Sequence, residues 1–219
     1  MILTLWYHPF AAYGQKTAIA LYELDMPFEP KVVDGADEVG MAEFRRISPF
    51  SKMPTVVDPE TGRILYESTI VLEWLDRRAG GGRLIPADTE AALETRLVDR
   101  VLDFYVGEAM GRIVMNTLRP EETRDPVGVT QDQARIEQAW DWLETRLADG
   151  REWGAGDGFT LADCGAAPIL TYARRLVPFG ERLRLRAWHR RLMERPSFRR
   201  ALDDAAPYGD LMPAPPPED

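Results

Sequence analysis

Three short stretches carry residue types at spacings that could do chemistry. The first is Lys52-Met53-Pro54-Thr55. A proline directly before a β-rich run cannot donate to a strand ladder, so it stands at a strand start. A cis bond there would turn out the N–H and C=O of Met53 like an unpaired sheet edge, which an extended peptide ligand could join. Taken alone, a trans proline at a strand start is the plainer reading. The second stretch is Glu67-Ser68, directly before Thr69-Ile70-Val71-Leu72. The first backbone N–H groups of a helix are unpaired. With the Ser68 hydroxyl and the helix dipole they form a carboxylate site, and Glu67 could pair with a ligand amine. A plain N-cap role for Ser68 is compatible with both. The third stretch, Thr160-Leu161-Ala162-Asp163, is a capping box flanked by Phe159 and Cys164 as a hydrophobic staple. That role is structural, and it gives Cys164 a packing function rather than a reactive thiol.

Elements must position these groups. Ile2 to Tyr7 reads as a strand stopped by His8-Pro9. Ala12 to Leu24 is a helix, Phe28 to Val33 a strand, and Glu38 to Ile47 a weak helix with Met41, Phe44 and Ile47 at three-residue spacing. Thr55 to Val57 and Arg63 to Tyr66 pair across the Pro59-Glu60-Thr61-Gly62 turn. Ser68 to Ala79 is a helix, which completes βαβ, then α, then ββα over residues 1–79. Gly80-Gly81-Gly82 opens a linker over residues 80–88.

From residue 89 to 208 the pattern is all helical. Ala91 to Met115 is one helix with Leu93, Leu97, Val101, Phe104/Tyr105 and the Val106/Met110 side at helical period. Arg119 to Gly128 is a polar break. Gln131 to Leu147 places Ile136, Trp140, Leu143 and Leu147 on one face. Leu161 to Leu176, nearly all small and apolar, is the expected buried central helix. Leu183 to Met193 and Phe198 to Leu202 follow, and residues 209–219, with Pro213 and Pro215-Pro216-Pro217, form a flexible tail. The fold class is therefore α/β plus all-α.

The chain has 219 residues, with 27 Lys plus Arg against 36 Asp plus Glu, a formal charge of −9. Such a surface repels phosphate backbones and polyanionic membranes, so neither nucleic acid nor membrane is an expected partner. No run approaches 18 apolar residues, and Met1 to Pro9 lacks the basic start and cleavage site of a signal peptide. One cysteine excludes an internal disulfide, a Cys-x-x-Cys pair and a four-thiolate metal site. His8 and His189 leave little for a His-built site. A cytoplasmic, metal-free protein is expected.

The element order and motifs resemble the glutathione transferase family over nearly the whole chain. The matching pieces are Tyr7-His8-Pro9 leading into the first helix, Met53-Pro54, Glu67-Ser68-Thr69-Ile70, Phe159-Thr160-Leu161-Ala162-Asp163, and Arg195-Pro196-Ser197-Phe198. Each is short; together, in this order and spacing, they are specific. The resemblance implies a thioredoxin-like first half and glutathione as co-substrate. It implies that Met53, beside a cis Pro54, pairs with the cysteinyl backbone of glutathione. It implies that Glu67 and Ser68 hold the γ-glutamyl ends and that Lys52 reaches the glycyl carboxylate. It also implies a homodimer and a small apolar electrophile as the second substrate.

The sequence departs from that family where the thiol is activated. Pro9 is followed by Phe10-Ala11-Ala12-Tyr13-Gly14. Ala11 stands where a serine or cysteine is expected, so a mixed disulfide with a protein thiol is excluded there. Tyr7 lies close to the activating position of tyrosine-type members, and plain strand filler is the competing reading. Tyr13 reads as helix surface or pocket wall. A first-helix N–H with its dipole could also favour the thiolate. The second-substrate pocket is expected on the Ala91–Met115 helix, with Tyr105, Val106, Met110, Ile113 and Met115 facing Phe10, although an apolar stripe at helical period also fits core. The enzyme reading, conjugation or isomerisation with glutathione, competes with a binding or scaffold protein that has lost the activating side chain.

Overall fold

The structure is a computed structural model that describes residues 2–211, with side chains described to residue 208. Residues 212–219, most of the expected tail, lie outside the described residues; residues 209–211 belong to the 3₁₀ segment Ala206–Leu211. The first half runs β1 (Leu3–Tyr7), α1 (Ala12–Glu23), β2 (Phe28–Val32), α2 (Glu38–Ile47), β3 (Thr55–Asp58), β4 (Arg63–Tyr66) and α3 (Ser68–Arg78). The sheet order is β2-β1-β3-β4. β1 runs parallel to β2, with Leu3 opposite Phe28, and antiparallel to β3, with Trp6 opposite Thr55; β3 and β4 form a hairpin.

Strand alternation sorts the two faces. Leu3, Leu5 and Tyr7 join the main core, shared with Ile19 and Leu21 of α1 and Leu72 and Leu75 of α3. Trp6 points the other way and stacks on Phe44 of α2, 6.0 Å between centroids, in a small core with Val33. Asp37 caps α2, its carboxylate accepting the Val39 and Gly40 N–H groups.

The second half continues with α4 (Thr89–Val101), α5 (Glu108–Thr117), α6 (Pro126–Arg146), α7 (Leu161–Ala173), α8 (Leu183–Glu194) and α9 (Pro196–Ala205). Helix α6 starts five residues before the expected Gln131, because Asp125 caps it and Pro126 supplies a pre-set φ at its first position. Helix α7 is the central element: its residues are buried along nearly its whole length, and it packs on α1, α4 and α8. Arg195, at the start of α9, pairs with Glu23 at the end of α1 at 2.7 Å.

Residues 89–117 form one long helical run interrupted by a π segment over Leu102–Gly107. In it the Glu108 N–H donates to the Asp103 C=O, five residues back. Only part of the expected apolar stripe faces the core: Val106 and Met110 are buried, but its start is not. Leu93 is 60% exposed and Leu97 43%, while the buried side carries Thr95, Val98, Asp99, Leu102, Asp103, Val106 and Ala109. The helical period holds, but two carboxylates and a hydroxyl occupy the inner face.

Candidate functional site

Each functional group sits at an element junction. Met53 lies two residues before β3, outside the ladder registers, which begin at Thr55 on both sides. Its side chain packs against the Trp6/Phe44 core, and its bond to Pro54 is cis. The Lys52 carbonyl accepts the Ser48 hydroxyl at 3.0 Å, which ties the segment to the end of α2. Glu67 joins β4 to α3 with φ 68° and ψ 108°, and its C=O accepts the first helical bond, from the Val71 N–H. A non-glycine residue held at positive φ costs roughly 1–3 kcal/mol, strain that clusters at ligand clamps. Ser68 opens α3 and is nearly buried.

These junctions converge. Lys52, Met53, Pro54, Glu67 and Ser68 line a single cleft of about 430 Å³. Its opposite wall comes from the helical half and is mostly charged, with one aromatic ring: Arg96, Arg100, Asp103, Phe104 and Glu108. Arg96 pairs with Glu73 at 2.7 Å, and the Arg100 guanidinium lies 4.5 Å from the centre of the Phe104 ring. Tyr13, from the first turns of α1, completes the wall between the halves.

Beneath that wall lies a buried charge cluster. Lys16 Nζ is 2.6 Å from Asp99 Oδ1 and 2.9 Å from Asp103 Oδ2, and donates to Thr69 Oγ1 at 3.2 Å. Thr69 in turn donates to Asp99 Oδ2 at 2.7 Å. Lys16 and Asp99 are inaccessible; Asp103 reaches the cleft. Burial pulls the Lys16 pKa down, and the two carboxylates with their hydrogen bonds push it up further, so the ammonium is held charged. Burial, with help from Asp99, raises Asp103 against the opposing pull of Lys16.

The remaining sequence expectations fall elsewhere. Tyr7 turns away from the cleft; it is 3% exposed, edge-on to Phe28, and lines a separate cavity of about 620 Å³ with Tyr22, Arg200 and Asp204. Burial first, then the Asp204 charge, pushes its pKa up to about 12. Ala11 is the N-cap of α1, and no side chain caps that helix. The N–H of Ala11 donates to the His8 C=O, and that of Phe10 to His8 Nδ1. The Phe10 ring packs 5.3 Å from Tyr172. Val106, Met110 and Ile113 are core residues, and Tyr105 is 55% exposed. Of the residues expected to line a second-substrate pocket, then, three are packed in the core and Tyr105 is exposed, while the cleft meets Arg96, Arg100, Asp103, Phe104 and Glu108 of this run. The cleft-facing Arg96, Arg100, Asp103 and Glu108 recur at spacings of three to five, a pattern the sequence shows only as a solvated helix face.

Family models of the glutathione S-transferase N-terminal domain and C-terminal domain match residues 5–83 and 126–203. This chain belongs to the glutathione S-transferase family. A glutathione S-transferase from Silene vulgaris is 26% identical over 209 residues, covering 89% of this chain and 94% of its own. Glutathione S-transferase GstB of Escherichia coli is 27% identical, covering 92% of this chain and 98% of its own. A glutathione S-transferase structure from Methylobacterium radiotolerans, in complex with glutathione sulfonate, superposes with a TM-score of 0.80 at 26% identity, covering 100% of this chain and 99% of that one. Among the described residues of this glutathione S-transferase family member, no group of three His, Cys, Asp or Glu side chains could hold a metal ion, and no helix is long and apolar enough to cross a membrane.

Proposed function

We propose that this family member binds glutathione in the 430 Å³ cleft and uses its sulfur on a small apolar electrophile, by conjugation or isomerisation. The observation that carries the reading is convergence. Lys52 and Met53 from one junction, and Glu67 and Ser68 from another, line one cleft. In this reading the free backbone of Met53 pairs with the cysteinyl residue, and the α3 N-terminus with Ser68 takes the γ-glutamyl carboxylate. Glu67 takes the amine, and Lys52 the glycyl carboxylate. In conjugation with an aryl halide, the thiol proton leaves to solvent, a sulfur lone pair forms the C–S bond, and halide departs with its bonding pair. The homodimer is part of the same proposal, supported by the exposed apolar side chains of Ile70, Leu93 and Leu97 on adjoining α3 and α4.

Titration calorimetry with millimolar glutathione tests the binding. Heat is expected; its absence would favour the competing reading, a scaffold protein, which the lack of a hydroxyl or thiol on Ala11 supports. Ala11→Ser separates the two further. A serine at this uncapped N-cap is expected to stabilise the protein by about 1 kcal/mol and to raise aryl halide turnover. A gain in unfolding midpoint with no gain in turnover would show that position 11 does not reach the sulfur.

Glu67→Gly sets backbone strain against ligand contact. Relief of roughly 1–3 kcal/mol, less about 1 kcal/mol for the freer unfolded chain, is expected to leave a net gain of about 1 kcal/mol in chemical denaturation. Loss of a charged hydrogen bond worth about 1.5–3 kcal/mol is expected to weaken glutathione roughly ten- to a hundred-fold. Tighter binding by Glu67→Gly would remove Glu67 from the site.

A further inference from the structure

We infer that the Tyr13 hydroxyl is the group that holds the glutathione sulfur as a thiolate, in place of the side chain missing at Ala11. The inference rests on the cleft reading above and adds to it the donor that meets the reacting atom.

A thiolate needs a donor, and several hydroxyls and cations of the cleft are engaged. Thr69 donates to Asp99, Ser48 to the Lys52 carbonyl, and Arg96 is paired with Glu73. Ser68 opens α3 beside Glu67 and is placed for the γ-glutamyl end. Tyr7 lines the other cavity. Tyr13 differs from all of these. It lies two residues beyond Ala11, on the first turn of α1, and its side chain lines the cleft. Its hydroxyl donates to the Asp103 carbonyl at 3.1 Å.

That bond is unusually easy to give up. The Asp103 carbonyl already accepts the Glu108 N–H through the π segment. If the Tyr13 proton turns to a ligand, no buried acceptor is orphaned, so the usual penalty for breaking a buried hydrogen bond does not apply. The π segment also makes the space. A Cβ at Gly107 would lie 2.5 Å from Tyr13 Oη, closer than real side chains come, so this glycine is what admits the phenol tip. A glycine inside a helical run is otherwise unfavourable. Glycine and π turn together hold one hydroxyl at the junction of the two halves.

Burial, then the charges of Asp103, Glu108 and Asp99, raises the Tyr13 pKa. The phenol therefore keeps its proton throughout the range in which a thiol titrates. It acts as a donor and not as a base: the thiol proton leaves to solvent, the electron pair stays on sulfur, and no bond to the protein forms or breaks.

The test follows the thiol itself. Glutathione bound to the wild type should titrate about two units below the ordinary thiol value of about 8.5, read by ultraviolet absorbance of the thiolate. In Tyr13→Phe the ring is kept, so the thermal midpoint should hold, while the bound thiol returns to near 8.5. At pH 6 a two-unit shift changes the thiolate fraction about 75-fold. A Brønsted slope of 0.4–0.5 gives back roughly eight-fold in nucleophilicity. Turnover of an aryl halide should therefore fall about ten-fold in Tyr13→Phe at pH 6. Gly107→Ala should raise the bound thiol pKa in the wild-type background and leave it unmoved in Tyr13→Phe. Binding with an unchanged thiol titration in Tyr13→Phe overturns this assignment alone. No binding of glutathione by the wild type overturns the cleft reading and this assignment with it.

Discussion

Replacing Lys16 with methionine is expected to remove about 3–5 kcal/mol of stability at neutral pH, the loss typical when one partner of a buried ion pair is deleted. The reason is arithmetic of charge in a closed space. One ammonium faces two carboxylates, Asp99 and Asp103, and both the ammonium and Asp99 are inaccessible to water. Methionine fills a similar volume but leaves two like charges adjacent and desolvated. The groups also come from opposite halves: Lys16 and Thr69 lie on α1 and α3, Asp99 and Asp103 on the long helical run. The variant should therefore loosen the wall of the cleft as well as the fold.

The pH dependence has a definite sign. A carboxylate whose folded pKa is raised binds its proton more tightly when folded. Its protonation contributes stability that is full below the unfolded value, near 3.8, and lost as pH rises through the folded one. Asp103 is raised already, and without Lys16 it should be raised further. The deficit of Lys16→Met against wild type should thus shrink as pH falls from 7 toward 4. Lys16 itself is raised above 10.5, so its own contribution persists through neutral pH and fades only as alkali passes its folded pKa. Denaturant midpoints of both proteins across this range check the claim. Equal midpoints at pH 7 would mean that water reaches the cluster.

This cluster also marks what a sequence reading could reach. The βαβαββα order was legible because punctuation residues bound each element: His8-Pro9 after β1, Pro59 to Gly62 between β3 and β4, and the triple glycine after α3. That Met53 and Glu67-Ser68 stand at element junctions was legible for the same reason, since such residues mark those junctions. The inner face of residues 89–117 was not. Period analysis treats Asp99 and Asp103 as solvated, yet their partner Lys16 is more than eighty positions away, and only folding brings it there. Leu93 and Leu97, apolar and well spaced, are the exposed side. Tyr7 was misleading in a related way. Alternation places it with Leu3 and Leu5, but not on the cleft side of that layer. The role of Tyr13 depends on a π turn and a glycine across the interface, neither of which leaves a trace around residue 13.

Asp163→Ala should be at least as damaging, about 4 kcal/mol or more. The carboxylate is fully buried and accepts four donors: the Gly154 N–H at 3.0 Å, Trp188 Nε1 at 2.9 Å, the Thr160 N–H at 2.9 Å and the Thr160 hydroxyl at 3.0 Å. Each donor stranded in the interior costs about 1–3 kcal/mol, less whatever local relaxation or water recovers. The site cannot relax far, because Gly154 packs directly on the Trp188 ring: a Cβ at Gly154 would lie 2.3 Å from Trp188 Cζ2. Asp163 thereby joins the start of α7, the loop before it and α8, and α7 is the element on which α1 and α4 also pack. Asp163→Asn should fall between the two, since its amide oxygen can serve one pair of donors while its NH₂ opposes the other. The ranking wild type, Asn, Ala in unfolding midpoint is the check. An alanine variant that unfolds with the asparagine variant would show that one pair of donors, and not the four-way junction, carries the stability.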